Sequence, residues 1–217
     1  MGRQYKAKKP LLKRWWFWVI AVFAIIFVLG NLAPESTSGN NERASNSKTV
    51  TEKKETKSDK EAGITEDQYN SIQIGDNGDS KEKITSMFGS ADSTSNSSIG
   101  NTSSELYIWN DVAGGGVVSN VSVSFINNLA SSKSISGLKV DRKKISLADF
   151  NSIQNGQSED DVINILGKPN SLNESSIMGT STKILSYTSN ISGDLGANFN
   201  VTISDGAVSG KSQASMS

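Results

Sequence analysis

Two hydrophobic spacings alternate along the chain from residue 64 onward. The first is helical. In "DQYNSIQIG" (67–75), Ile64 before the segment and Tyr69 within it are placed to pack together around a Thr65 cap, with Gln68 three residues on and Gly75 as the stop. "ADFNSIQNG" (148–156) repeats the device with Ile145, Ser146, Asp149, Phe150 and Gly156. A second short amphipathic helix follows each: Ser80 precedes Ile84, Met87, Phe88 and Gly89, while Ser158 precedes Val162, Ile165, Leu166 and Gly167. The second spacing is the period of two, in "SELYIWN" (104–110), "NVSVSFI" (120–126), "TKILSYT" (182–188) and "NFNVTIS" (198–204). Helices this short are unstable alone, so they must lie on the apolar face of the strands.

That face is Tyr107, Trp109, Val121, Val123 and Phe125 in the first half, and Leu185, Tyr187, Phe199, Val201 and Ile203 in the second. The opposite face carries Leu106, Ile108, Ser122, Ser124, Ile184, Ser186, Asn200 and Thr202, which makes these eight residues the candidate partner-binding surface. A shift of about 78 residues lays Ser80–Ser134 on Ser158–Ser212 without a gap, matching Trp109 to Tyr187 and Val123 to Val201. Helices and strands recur together, so the recurring phrase marks a duplicated unit; its Tyr69/Phe150 and Ile72/Ile153 are scaffold.

Upstream the pattern changes twice. "WWFWVIAVFAIIFVLGNLA" (15–33) is uncharged and as a helix spans about 28 Å, enough to cross a bilayer. Arg3, Lys6, Lys8, Lys9, Lys13 and Arg14 precede it and the first acid, Glu35, follows it, so the N-terminus is expected inside and the remainder outside. A cleaved signal is the competing reading, disfavoured by the length of the run and by Asn31 and Pro34 around the one small-residue site, "GNLAPE". Residues 34–63 are polar, mixed in charge and without aromatics: a solvated tether with a mean reach of about 30 Å.

Composition narrows the chemistry. Lysine plus arginine and aspartate plus glutamate both number 22, and the main basic cluster is explained by membrane topology, which disfavours nucleic acid as a partner. The chain has no histidine and no cysteine, so the usual general base, the thiol nucleophile, disulfides and a lipidated cysteine are all excluded. No enzyme activity, cofactor or metal is expected. Asp76 and Asp79 around "NG" lack the ligand ladder of a calcium loop and suit a solvated turn. Glu159, Asp160 and Asp161 suit the first turn of a helix, and "AGGGVV" (113–118) has neither lysine nor following helix, so it suits a hairpin connection rather than a phosphate loop.

"FNSIQNG", a capped helix, "ILGKP" and a Ser/Thr-rich strand region resemble the tandem beta-lactamase-inhibitor-protein-like repeat, close to a family of Gram-positive extracytoplasmic proteins of unknown function, with the SmpA/OmlA lipoproteins as more distant single-unit relatives. The resemblance runs from about residue 64 to the end; Ala91 stands where the second copy has Pro169, and "NGD" (77–79) is extra. It implies an α+β fold of two tandem units, each a helix-loop-helix on a four-stranded antiparallel sheet, preceded by one transmembrane helix. The expected organisation is a basic tail (1–14), an anchor (15–33), a linker (34–63), unit 1 (64–139), a connector (140–144) and unit 2 (145–217). The function expected is a membrane-anchored, non-catalytic module binding a protein or cell-wall component through its sheet face. The alternatives are an assembly accessory of a cell-envelope complex and an inhibitor of a secreted enzyme such as a beta-lactamase.

Overall fold

The period-two segments form strands and the capped segments form helices in the computed structural model, which describes residues 63–99 and 102–217. The basic tail, the apolar run at 15–33 and all of the polar tether but Gly63 lie outside the described residues. In chain order the elements are α1 (Glu66–Ser71), α2 (Lys81–Phe88), β1 (Ser93–Ile99), β2 (Thr102–Asn110), β3 (Gly115–Ile126), β4 (Leu129–Leu138), α3 (Leu147–Ser152), α4 (Glu159–Leu166), β5 (Ser171–Ile177), β6 (Thr180–Tyr187), β7 (Gly193–Ser204) and β8 (Ala207–Met216).

The architecture corrects the expected fold class. Among the described residues the strands form one eight-stranded antiparallel sheet in sequential order β1 to β8, with four short helices, in place of two units each laid on a four-stranded antiparallel sheet. The join is β4 on β5, from Ser132 opposite Ser175 to Ile135 opposite Leu172. Left apart, each unit would present an unpaired strand edge; pairing satisfies those backbone groups and makes the outer edges β1 and β8. Among the described residues no helix is long and apolar enough to cross a membrane; the run at 15–33, where the transmembrane helix was expected, lies outside them.

The helix starts form as their sequences require. Thr65 accepts from the Gln68 amide while the Gln68 side chain accepts from the Thr65 amide, and Ser146 with Asp149 does the same. α1 and α3 stop earlier than their glycines imply, at Ser71 and Ser152, because Ile72 and Ile153 turn extended to enter the core. Gly75 and Gly156 instead donate their amides to β-strand carbonyls, Ala130 in one unit and Val208 in the other. The core divides into two clusters, Tyr69, Ile84, Trp109, Val121, Val123 and Phe125 anchoring one, and Phe150, Val162, Leu185, Tyr187, Phe199 and Val201 the other. Leu172, on β5, packs against both.

The duplication extends to single hydrogen bonds. Trp109 donates its indole N–H to the Gly89 carbonyl at 3.0 Å, and Tyr187 donates its hydroxyl to the Gly167 carbonyl at 3.0 Å. Each unit thus ties its second helix to its second strand through an aromatic group reaching the helix end.

Candidate functional site

The face opposite the helices is built by strand register. One row runs across all eight strands: Ser93, Ile108, Ser122, Ser134, Asn173, Ile184, Thr202 and Gly210. A neighbouring row contains Leu106, Ser124, Ser132, Ser175, Thr182 and Ser204, and a third places Ser186 opposite Asn200. All eight candidate residues therefore share this face, and all are half-buried by their neighbours. At strand spacings near 4.8 Å the platform is about 34 Å across.

Charge distinguishes the two faces more sharply than the hydrophobic pattern does. Glu105, Lys133, Glu174, Lys183 and Lys211 all stand in helix-facing rows, beside Phe125, Val123, Val201 and Ile203. The paired rows of the opposite face contain serine, threonine, asparagine, glycine and aliphatic residues and no charged residue. Such a surface offers hydrogen bonds and shape without long-range attraction.

On the helix side the charges close local structure. Lys133 donates to the Tyr69, Asn70 and Ile72 carbonyls, and the equivalent Lys211 donates to those of Phe150, Asn151 and Ile153. Burial lowers the Lys133 pKa despite nearby Glu174, and burial lowers that of Lys211 too. At the seam, Glu174 accepts from the Tyr69 hydroxyl at 3.0 Å and lies 3.7 Å from Lys133 and 3.5 Å from Lys183. Burial and the Glu174 carboxylate together push the Tyr69 pKa up. Lys183 is held above its ordinary value because its carboxylate partners, Glu159 and Glu174, outweigh its desolvation.

Two further features escape the alternation rule. β3 is out of register with β4 between Gly115 and Asn120, and β7 with β8 between Gly193 and Asn198. In both places five steps on one strand pass two on its partner, extruding a bulge. Val117 at the first bulge and Leu195 at the equivalent position of the second are each 105% exposed, and Val118 is 84% exposed. Their bases are buried: Ser119 accepts from the Val112 amide, and Ala197 packs where Ser119 stands in the other unit. Each bulge starts at a glycine, because a side chain at Gly115 would collide with Ser119 and one at Gly193 with the Ser215 carbonyl. β3 and β7 run in the same direction four strands apart, so the bulges lie at one end of the sheet, about 19 Å from each other.

"AGGGVV" is thus more than a hairpin connection. The sequence signal was a Val-Val pair beside glycines, matched by Leu195 after the 78-residue shift, at positions where no strand needs an apolar residue. Asp79 is also not in a solvated turn: it is 9% exposed, accepts from the Gln73 amide and pairs with Lys83 at 2.6 Å. Its own burial would raise its pKa, but these partners bring it below the usual value. Glu159 pairs with Lys183 and Asp161 completes a capping box with Ser158, so that acidic cluster serves the helix start. Among the described residues, no group of three or more aspartates and glutamates is placed to hold a metal ion.

The family model described as beta-lactamase inhibitor (BLIP) matches residues 65–189, more than half of the chain. Among solved structures, a Streptococcus mutans protein described as a candidate beta-lactamase inhibitor is similar with a TM-score of 0.56 and 20% identity, over 69% of this chain and 94% of that one. At that identity the likeness speaks to the fold alone. No curated protein matches the chain.

Proposed function

Since the chain belongs to the beta-lactamase inhibitor (BLIP) family, we propose that it is a non-catalytic protein-binding module that grips a protein partner with the two apolar bulges and the uncharged sheet face beside them. The observation that carries this reading is the repetition of a fully exposed apolar residue, Val117 and Leu195, on a base built to extrude it. Large apolar side chains left in water cost stability and recur where a partner covers them. Two such points on one rigid sheet favour a partner with two apolar recesses at matching separation. The face supplies hydrogen-bonding groups between them, with Leu106, Ile108 and Ile184 as its apolar share.

The family description makes a secreted enzyme of the beta-lactamase class the first partner to test. The module's location outside the cytoplasm rests on the sequence alone, on the uncharged run at 15–33 and the basic residues before it. A panel of purified beta-lactamases titrated with the full chain tests the activity by loss of hydrolysis. For any enzyme bound, Val117→Asp with Leu195→Asp is expected to weaken binding by at least about tenfold, the loss of one interface hot spot. Ser122→Lys with Asn200→Lys tests the face in the same way. Unchanged affinity in both variants would remove both surfaces from the proposal.

A further inference from the structure

We propose that the outer edge of β8, over residues 210–213, takes an extended segment of a partner protein as an added antiparallel strand, with an acidic residue of that segment opposite Lys211. The seam between the two units is the precedent. The 78-residue shift lays β8 on β4, as the pairs Val121 with Ile135 and Phe199 with Gln213 show. Residues 210–213 therefore correspond to 132–135, the part of β4 that pairs with β5.

Both strands are closed at their start by the loop between their unit's helices. Gly75 donates to the Ala130 carbonyl and Ala130 to that of Asp79; Gly156 donates to the Val208 carbonyl and Val208 to that of Gln157. At the far end the units differ. The Leu138 amide donates across the seam to the Asn170 carbonyl at 2.9 Å, whereas the equivalent Met216 amide donates to the side-chain oxygen of Gln213 at 3.0 Å. Between these closures, residues 210–213 have no strand on their outer side among the described residues, and Ser212 and Gln213 are exposed. The unpaired N–H and C=O groups of such an edge are what an extended peptide pairs with.

Lys211 gives the incoming strand its chemistry. Lys133 and Lys211 each donate to three helix-end carbonyls, and their ammonium groups lie 4.7 Å and 4.6 Å from the ring centres of Tyr69 and Phe150. Lys133 also has Glu174 directly opposite on β5, 3.7 Å away, while among the described residues no carboxylate pairs with Lys211. Because its ammonium is held inward over the end of α3, Lys211 does not project as a charge that blunts the edge. An acid in the place of Glu174 would form a cross-strand pair of opposite charge and fix the register. A second copy would bring β1, the counterpart of β5, which has Asn96 where β5 has Glu174 and Thr94 where it has Leu172. The occupant is therefore a strand of a different protein. That it comes from a protein partner rests on the protein-binding reading above; the pairing and the acid rest on the seam.

A blocked peptide copying residues 170–177, "NSLNESSI", titrated into the ¹⁵N-labelled full chain, tests the edge without any partner. Saturable shifts are expected at the amides of residues 210–213 and at that of Met216, which exchanges Gln213 for the peptide. Glu174→Lys in the peptide, which sets like charges opposite each other, is expected to weaken binding by at least about fivefold. N-methylation of alternate peptide amides is expected to abolish binding in one of the two alternating sets and to leave the other unchanged, because only every second amide faces the sheet. Absence of shifts at 210–213, shifts confined to β4 and β5, or equal binding of the lysine peptide would overturn the proposal. Tighter binding of a peptide copying β1, "STSNSSI", would overturn it in favour of a second copy of this chain. Binding of the β5 peptide with no effect of the bulge variants on any partner would leave the edge standing and remove the bulges.

Discussion

Lys133 and Lys211 sit at equivalent places in β4 and β8, each donating its charge to three carbonyls at the end of a helix too short to stand alone. Replacing Lys133 by methionine keeps the apolar stem and removes the ammonium, leaving buried carbonyls without a donor and Glu174 with one cation fewer. The expected loss is about 3 kcal/mol, measured by chemical denaturation. Asp149 makes a second residue-level prediction. The Ser146 amide and hydroxyl, with Lys143, lower its pKa from 3.8 to about 2. A depressed carboxylate stabilises the fold fully above its unfolded value and loses that contribution as pH falls through the folded one. Stability is therefore expected to fall between about pH 4 and about pH 2, and Asp149→Asn to flatten that part of the profile of melting temperature against pH. α1 supplies the control, because the same position there is Gln68, which does not titrate.

Between elements, the duplication has kept an ion pair while reversing it. Lys81 at the start of α2 pairs with Glu105 of β2 at 3.0 Å, and Glu159 at the start of α4 pairs with Lys183 of β6 at 2.8 Å. What persists is the attraction that fixes the helix start over its strand. Lys81→Glu alone places two acids together and is expected to lower the melting temperature, whereas Lys81→Glu with Glu105→Lys is expected to recover most of the loss in a double-mutant cycle. These caps and short helices were legible in the sequence because capping depends on residues three apart, and the apolar faces because burial follows the local period. The early ends of α1 and α3 were not legible, since Ile72 and Ile153 leave the helix for core space that other elements create. Nor were the bulges, because alternation describes a strand in register and says nothing of where register is broken.

For the molecule as a whole, the seam decides whether two units behave as one. Four β4–β5 register pairs, Leu172 packing into both cores and the Tyr69–Glu174 bond cross it. Tyr69→Phe, which copies the second unit's Phe150, is expected to cost about 1 kcal/mol. Hydrogen exchange measures the consequence: amides of β4 and β5 are expected to exchange together in the unaltered chain, and those at the seam to lose protection first in the variant.

By itself the sequence determined the repeat, the helix starts, the strands, the two faces of the sheet and the absence of histidine and cysteine chemistry, because each depends on neighbours in the chain or on composition. Only the tertiary structure decided that the eight strands are continuous, that the charged residues in the strand-paired rows stand on the helix side, and that Val117 and Leu195 project from equivalent bulges. These depend on which strand edges meet and on groups brought together from distant parts of the chain, and no local period carries that information.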